Sequence, residues 1–368
     1  MDIHCFDAIV IGAGIAGATA GAHLSTTHRV ALLEAEESAG YHTTGRSAAI
    51  WILSYGSSDA RILTGASRAF FELPPQGFTE APLAHGRPVL TLAPRDQAAD
   101  LAASLDAGRV AIDLDEARAI VPAIRAEWAV AAAIERDAFD IDVAALHQGF
   151  LKQLRGRGGV LALRNRAGRI WHEAGLWHAE TSKGEVFSAP VLVNAAGAWG
   201  DGVAQLAGVQ TIGLQPKRRT ALIIDPGGYD SKNWPLVGDL AHSWYVRPES
   251  RGKLMVSPAD ETDCDPCDAQ PDEIDVAIAV DRMQQALDIP VHRVEHRWAG
   301  LRSFTPDRGL AIGACAAPGF FWFCGQGGYG IQTAPAAGRL LAQLVRGETP
   351  DADVAPAITP TNPMRFAA

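Results

Sequence analysis

DAIVIGAGIAGATA, residues 7–20, is a short apolar, β-branched run that breaks into glycines and then into small helix-forming residues. The run predicts a buried strand, Gly12-Ala13-Gly14-Ile15-Ala16-Gly17 the turn after it, and the stretch to about Ser25 a helix. The next run, RVALLE (29–34), predicts a second strand that ends on an acid, Glu34. Strand, glycine turn, helix and acid-tipped strand, in that order, are the context a dinucleotide fingerprint requires. Gly12 permits the tight turn, Gly14 lets backbone approach a pyrophosphate, and Gly17 lets the helix pack closely on the strand. The phosphates belong at the helix N-terminus, and Glu34 is placed to accept hydrogen bonds from ribose hydroxyls.

This fingerprint alone does not separate NAD from FAD. Two distant segments do more. APVLVNAAGAWGD (189–201) has the continuous apolar character of a buried parallel strand, then a small-residue turn and a helix. GFFWFCGQGGYGIQTAPAAGRLLAQLV (319–345) is again strand, glycine loop, helix. Parallel sheets gather ligand-binding loops at the carboxyl ends of their strands, so three such loops converge on one long ligand, which suits FAD. If the turn before the last helix faces the flavin, the partial positive charge of the helix end stabilises the reduced, anionic ring. YHTTGRSAAIWILSYG (41–56) changes from polar to apolar halfway. Its polar half is predicted to run along the cofactor and its apolar half to wall a substrate pocket ending at Tyr55.

Composition narrows the partner. The chain has 368 residues, 48% hydrophobic, enough for a large core and two domains or one large one. A net charge of −10, with no basic run longer than Lys217-Arg218-Arg219, excludes a phosphate-backbone partner and points to a small molecule. No signal peptide, no membrane-spanning run and five cysteines without a disulfide pattern predict a cytoplasmic protein. Cys264-Asp265-Pro266-Cys267 lacks the second ligand pair of a zinc site and reads as an acidic surface loop; no metal is expected. His292 and His296 read as ordinary residues on one face of a strand.

DAIVIGAGIAGATA, the Glu34 strand, GYHTTGRSAA, VLVNAAGAW, LQPKRR, WAGLRSFTPD and GQGGYGIQT together resemble the D-amino-acid oxidase superfamily of FAD enzymes. Within it the chain looks most like the bacterial D-arginine dehydrogenase type of FAD-dependent D-amino-acid dehydrogenases. The resemblance implies an α/β fold in which a Rossmann-type FAD domain is roofed by an α+β substrate domain with a mixed sheet. The FAD domain would be built discontinuously from residues 1–75, 140–210 and 300–368, and the substrate domain from 76–139 and 211–299. It implies FAD contacts from Gly12, Gly14, Ile15, Ala16, Gly17, Glu34, Ala35, His42, Thr43, Thr44, Gly45, Ser47, Ala48 and Ala49. It adds Ala167, Ala196, Gly197, Trp199, Gly327, Gly328, Tyr329, Gly330, Ile331, Gln332 and Thr333.

It further implies oxidation of a D-amino acid, the α-hydrogen passing as hydride to flavin N5 and the imino product hydrolysing to a 2-oxo acid. Arg302, between aromatic and glycine neighbours in HRWAGLRSFTPD, is suited by itself to bidentate capture of a planar carboxylate. Arg219, Tyr245 and Tyr55 match residues that touch the substrate in such relatives, and Gly328 and Gln332 match positions beside its amine and the flavin. No general base stands out, and none is needed if a neutral amine is held in line with N5.

Two departures from those relatives matter. Ile50 and Val89 stand where a histidine and a guanidinium-binding glutamate are found in the D-arginine enzymes, so these two and Ile52 form an apolar pocket wall. A buried guanidinium without a partner costs several kcal/mol, and apolar side chains should be preferred over arginine and lysine. Gly300 replaces the cysteine that tethers flavin in the sarcosine-oxidase branch, so FAD is expected to be non-covalent. The same carboxylate anchor would serve a 2-hydroxy acid or an N-alkyl glycine, and a flavin-binding partner or sensor without turnover is the reading of a different class. Oxygen or a quinone would reoxidise the flavin.

Overall fold

The computed structural model describes residues 3–106 and 108–367. DAIVIG forms the strand Ala8–Ile11, all four residues buried, and leads through the glycine turn into the helix Ile15–Leu24. That strand lies third in a six-stranded sheet ordered Val160–Ala162, Val30–Leu33, Ala8–Ile11, Val191–Asn194, Phe320–Cys324, Ala311–Ala314. The first five strands are mutually parallel and the last antiparallel. Continuous apolar runs such as VLVN and FFWFC are what strands covered on both faces require. The fold class is the mixed α/β arrangement anticipated from the βαβ signal.

The helix Ile15–Leu24 is made almost wholly of small residues and is buried nearly all round. Helix Gly330–Val345 packs on it at close range: a Cβ on Gly338 would strike Thr19 at its methyl carbon, 2.8 Å away. The Thr19 hydroxyl donates to the Ala334 carbonyl at 3.1 Å, tying the two helices whose N-termini both face the cofactor side.

A nine-stranded mixed sheet roofs this body. Its order is Thr262–Asp263, Gln215–Ile224, Lys253–Ser257, Tyr245–Glu249, Leu236–Asp239, Val89–Ala93, Ala131–Glu135, Arg109–Ile112, with Val294–Phe304 paired along Gln215–Ile224. Its own core gathers Leu222, Val246, Val256 and Met283 on the side away from the cavity. A small sheet of Ile50–Trp51, Phe139–Ile141 and Ala84–Gly86 joins the two. His296 lies on the strand Val294–Phe304, but His292 precedes it, so the two do not share a strand face as predicted; Pro290 and the turn after it delay the strand.

Candidate active site

One cavity of about 1110 Å³ runs from the glycine turn to the face of the roof sheet. It exceeds the range typical of a single small ligand and has room for a dinucleotide with a substrate beside it. At one end stand Gly12, Gly14, Ile15, Ala16, Glu34 and Ala35. Gly12 has φ +97°, and a Cβ there would sit 2.6 Å from the Ala195 carbonyl oxygen, so glycine alone lets the two strand-end loops meet. The Glu34 carboxylate accepts from the backbone N–H of Ala13 (2.9 Å) and Glu36 (2.9 Å), which orients it at the strand end. Ala167, Ala196, Gly197 and Trp199 line the cavity from a second side, and Gly327, Gly328, Gly330, Ile331 and Gln332 from a third. Glycine turn, helix N-terminus and convergent strand ends therefore fit a bound FAD.

Four of the anticipated cofactor residues do not face the cavity. Gly17 is spent on packing, where any Cβ would overlap Gly12. Gly45 donates its N–H to the Gly40 carbonyl at 2.8 Å. Thr333 returns its hydroxyl to the Tyr329 carbonyl at 2.9 Å, and Tyr329 lies behind Tyr55, ring centroids 5.5 Å apart.

His42, Thr43, Thr44, Ser47, Ala48 and Ala49 line the cavity, as does Ile50. Yet their hydroxyls serve the protein first. Thr44 accepts the N–H of Ile15 at 2.9 Å, satisfying an open donor at the helix N-terminus that Gly14 has no side chain to cap. Thr43 donates to the Leu301 carbonyl at 2.7 Å and Ser47 to the Thr43 carbonyl at 2.8 Å. The apolar half alternates: Ile50 and Ile52 face the cavity, Trp51 is buried against Phe139 at 5.0 Å, and Leu53 is exposed rather than lining a wall. Strand geometry imposes that alternation.

Further lining residues come from one face of the roof sheet. Arg302 pairs with Lys217 and Gly300 with Arg219, so all four project to the same side. A Cβ on Gly300 would meet the Arg46 side chain at 3.5 Å. Across the sheet the same face carries Tyr245, paired with Gly238, then Leu236, paired with Val89. Arg302 donates to the Tyr55 hydroxyl at 3.1 Å; among the described residues this is its only hydrogen bond, and no carboxylate lies within salt-bridge reach of it. A Cβ on Gly328 would stand 2.8 Å from Arg302 and 3.0 Å from the Tyr55 hydroxyl, so the missing side chain is what admits both.

Arg219 donates to the Asp260 carbonyl at 2.8 Å and to Glu261 at 3.3 Å, and Glu261 also takes Arg308 at 2.9 Å. Burial, with Arg302 beside it, lowers the pKa of Arg219. Burial alone would raise the Tyr55 phenol, but Arg302 and Arg219 outweigh it and the pKa falls. Two guanidiniums and a polarised phenol at one place form a receptor for an anion. Gln332 lines the cavity, and its side chain is committed within the protein. Its amide accepts from Ile52 N–H at 3.2 Å and donates to Thr64 at 2.8 Å, so the side chain anchors the loop that leads to Tyr55.

Arg109, His242, Glu261 and Arg308 are among the lining residues without a sequence signal. Each sits in an ordinary polar stretch and is recruited by sheet register or by a turn. His242 has φ +52° and its ring stands edge-on to Tyr55 at 5.7 Å. Burial, then the charge of Arg109, lowers its pKa, so the imidazole is neutral at neutral pH. His147 supports the glycine turn through the Ala13 carbonyl at 2.9 Å. Cys264 and Cys267 lie on the surface loop with their sulfurs 3.5 Å apart, and no cluster of three metal-ligating side chains occurs among the described residues.

A family model described as "DAO: FAD dependent oxidoreductase" matches residues 7–344. The chain belongs to this family of FAD-dependent oxidoreductases. FAD-dependent oxidoreductase domain-containing protein 1 of Xenopus laevis is 27% identical over 178 residues, which are 42% of this chain and 34% of that protein. The chain thus matches about a third of the length of this curated relative. Among solved structures, glycine oxidase from Geobacillus kaustophilus superposes with a TM-score of 0.85 at 20% identity, covering 98% of this chain and 99% of that one. L-proline dehydrogenase from P. horikoshii gives 0.84 at 19% identity, covering 100% and 99%. At those identities the likeness carries the fold. No helix among the described residues is long and apolar enough to cross a membrane.

Proposed function

We propose that this FAD-dependent oxidoreductase oxidises the Cα–N bond of an α-amino acid, with a D-amino acid as the substrate and a 2-oxo acid as the product after hydrolysis. The observation that carries the reading is Arg302. A guanidinium walled into a cavity with one phenol hydroxyl as its partner is costly unless a ligand completes it, and a carboxylate matches its forked donors. Arg219 and Tyr245 share the same sheet face and close the other side of that carboxylate. Bound FAD supplies a hydride acceptor. The chain's own residues hold the substrate: Arg302 and Arg219 fix the carboxylate, the Gly328 backbone borders the amine, and Ile50, Ile52, Val89 and Leu236 enclose the side chain and exclude water.

The apolar belt disfavours a cationic side chain, which separates this site from an arginine-oxidising one even though several segments resemble that type most. FAD is held without a covalent link in this reading: no cysteine lines the cavity among the described residues. The division of labour we assign places residues 1–75, 140–210 and 300–368 on the cofactor and 76–139 and 211–299 on the substrate, the strand Val294–Phe304 passing from one set to the other. The relatives named glycine oxidase and L-proline dehydrogenase act, by those names, on amino acids, which supports an amine donor.

One observation favours a second reading. His242 supplies a neutral imidazole beside Tyr55, a proton acceptor that oxidation of a 2-hydroxy acid would use. Anaerobic mixing with D- and L-amino acids, 2-hydroxy acids and N-methylglycine separates the two. Loss of the oxidised-flavin absorbance with D-leucine or D-methionine, and little with D-arginine, supports the proposal. Bleaching by 2-hydroxy acids alone replaces it with the second reading.

A further inference from the structure

The cavity does not end at the apolar belt. Beyond Val89 the sheet continues through Glu135 to Arg109, which are paired in register (Val89 with Glu135, Glu135 with Arg109), so the three side chains project to the face that carries Arg219 and Arg302. Arg109 lines the cavity, on the far side of the belt from the carboxylate anchor, and its side chain is only 13% exposed. Its guanidinium is incompletely partnered. One Nη donates to Ser54 at 3.0 Å, the other reaches Ser104 only at 3.4 Å, and Nε is buried with no partner among the described residues.

The acids at this end of the sheet do not complete it. Glu135 stands 4.0 Å away, outside hydrogen-bond distance, and its carboxylate already takes the Ser54 hydroxyl at 2.7 Å. Asp239 is held by three donors: the Ser243 N–H (2.7 Å), the Ser243 hydroxyl (2.6 Å) and Gln97 (3.2 Å). An edge-strand arginine that needed only a surface ion pair would point to solvent; this one points inward and lacks a tight carboxylate.

We propose that Arg109 is a specificity-determining residue that receives a second anionic group, at the far end of the substrate's side chain, so that the preferred substrate is an amino acid with an apolar stem and a terminal carboxylate. The inference rests on the proposed function for the first carboxylate and adds the second. The belt accommodates methylenes, Arg302 and Arg219 hold the α-carboxylate, and Arg109 reads the tip. Long neutral side chains fit without that last contact, and cationic tips meet a like charge.

Binding of non-reacting acids tests this without turnover. Dissociation constants of α,ω-dicarboxylates from malonate to pimelate, and of the chain-matched monocarboxylates, are measured on the FAD-loaded protein by flavin absorbance perturbation. One dicarboxylate length should bind about tenfold or more tighter than its matched monocarboxylate, and Arg109→Met should bring that ratio near one, with Arg109→Lys recovering part of it. Equal affinity of the two series at every length overturns the proposal. So does an equal weakening of both series by Arg109→Met, which would make Arg109 a support for the Ser54 loop, or tighter binding of ω-amino acids, which would assign this end to Glu135 and Asp239. Failure of every carboxylate to bind, or indifference to Arg302→Ala, would instead sink the anchor on which the proposed function stands.

Discussion

At the scale of single residues, the site turns on how few partners Arg302 has. Arg219 has a carbonyl and a carboxylate, whereas Arg302 has the Tyr55 hydroxyl. A charge-assisted fork lost from a buried position costs on the order of 3 kcal/mol, so Arg302→Ala should lower kcat/KM about 100-fold or more with the flavin spectrum intact. Arg302→Lys should recover only part of this, because an ammonium cannot present two parallel donors. Steady-state kinetics with the best substrate from the bleaching panel decide the matter, and unchanged kinetics in both variants would remove Arg302 from the site. Arg302 was legible in the sequence because its neighbours are unusual. Arg109 was not, because AGRVAID reads as an edge strand with an ordinary surface arginine; only its pairing with Glu135 turns it inward.

At the scale of elements, the segment 41–56 runs along the cavity, and Thr44 and Gln332 are two of the side chains that hold it. Thr44 caps the helix Ile15–Leu24 through the Ile15 N–H, in place of a cap that Gly14 cannot supply. Gln332, from the helix Gly330–Val345, clasps Ile52 and Thr64. A cap of this kind contributes about 1 kcal/mol. Thr44→Val should therefore weaken FAD binding by about fivefold in reconstitution of the apoprotein followed by flavin fluorescence, with Thr44→Ser near the wild type. An unaltered affinity in Thr44→Val would mean that the cap does not shape the phosphate end. Thr43, Thr44 and Ser47, the hydroxyl residues expected along the cofactor, line the cavity, and each hydroxyl completes a backbone group of the protein. Composition shows which residues carry hydroxyls, and only packing shows which unpaired backbone group lies nearest.

At the scale of the whole molecule, the nucleotide-binding body has a built-in acid sensitivity. Burial, reinforced by Arg339, Arg157 and Arg346, pushes the pKa of His23 down from 6.5 to about 4. Burial also lowers His147 under the glycine turn. In the unfolded chain such histidines take a proton below about pH 6.5 that the folded chain refuses, so stability is full above that pH and falls as pH drops towards 4. Denaturant unfolding from pH 7 to pH 4 should show a loss of up to ~3 kcal/mol from His23, and His23→Gln should flatten the curve. A curve with the same slope in that variant would place the acid sensitivity elsewhere.

The cofactor half of this molecule was determined by the sequence alone. Turn, helix and acid-tipped strand lie within residues 7–34, and the local chemistry of glycine and of continuous apolar runs is enough to specify them. The convergence of the other two strand-and-glycine loops on the same cavity also follows, because parallel strands must present their carboxyl ends together. The substrate roof was decided by tertiary structure. Arg109, Val89, Tyr245, Arg219 and Arg302 are separated by up to 213 residues and meet only through strand order and register, where a slip of one residue would turn each to the opposite face. Local sequence sets which face of its own strand a residue occupies; hydrogen bonding between distant strands sets which other residues share that face.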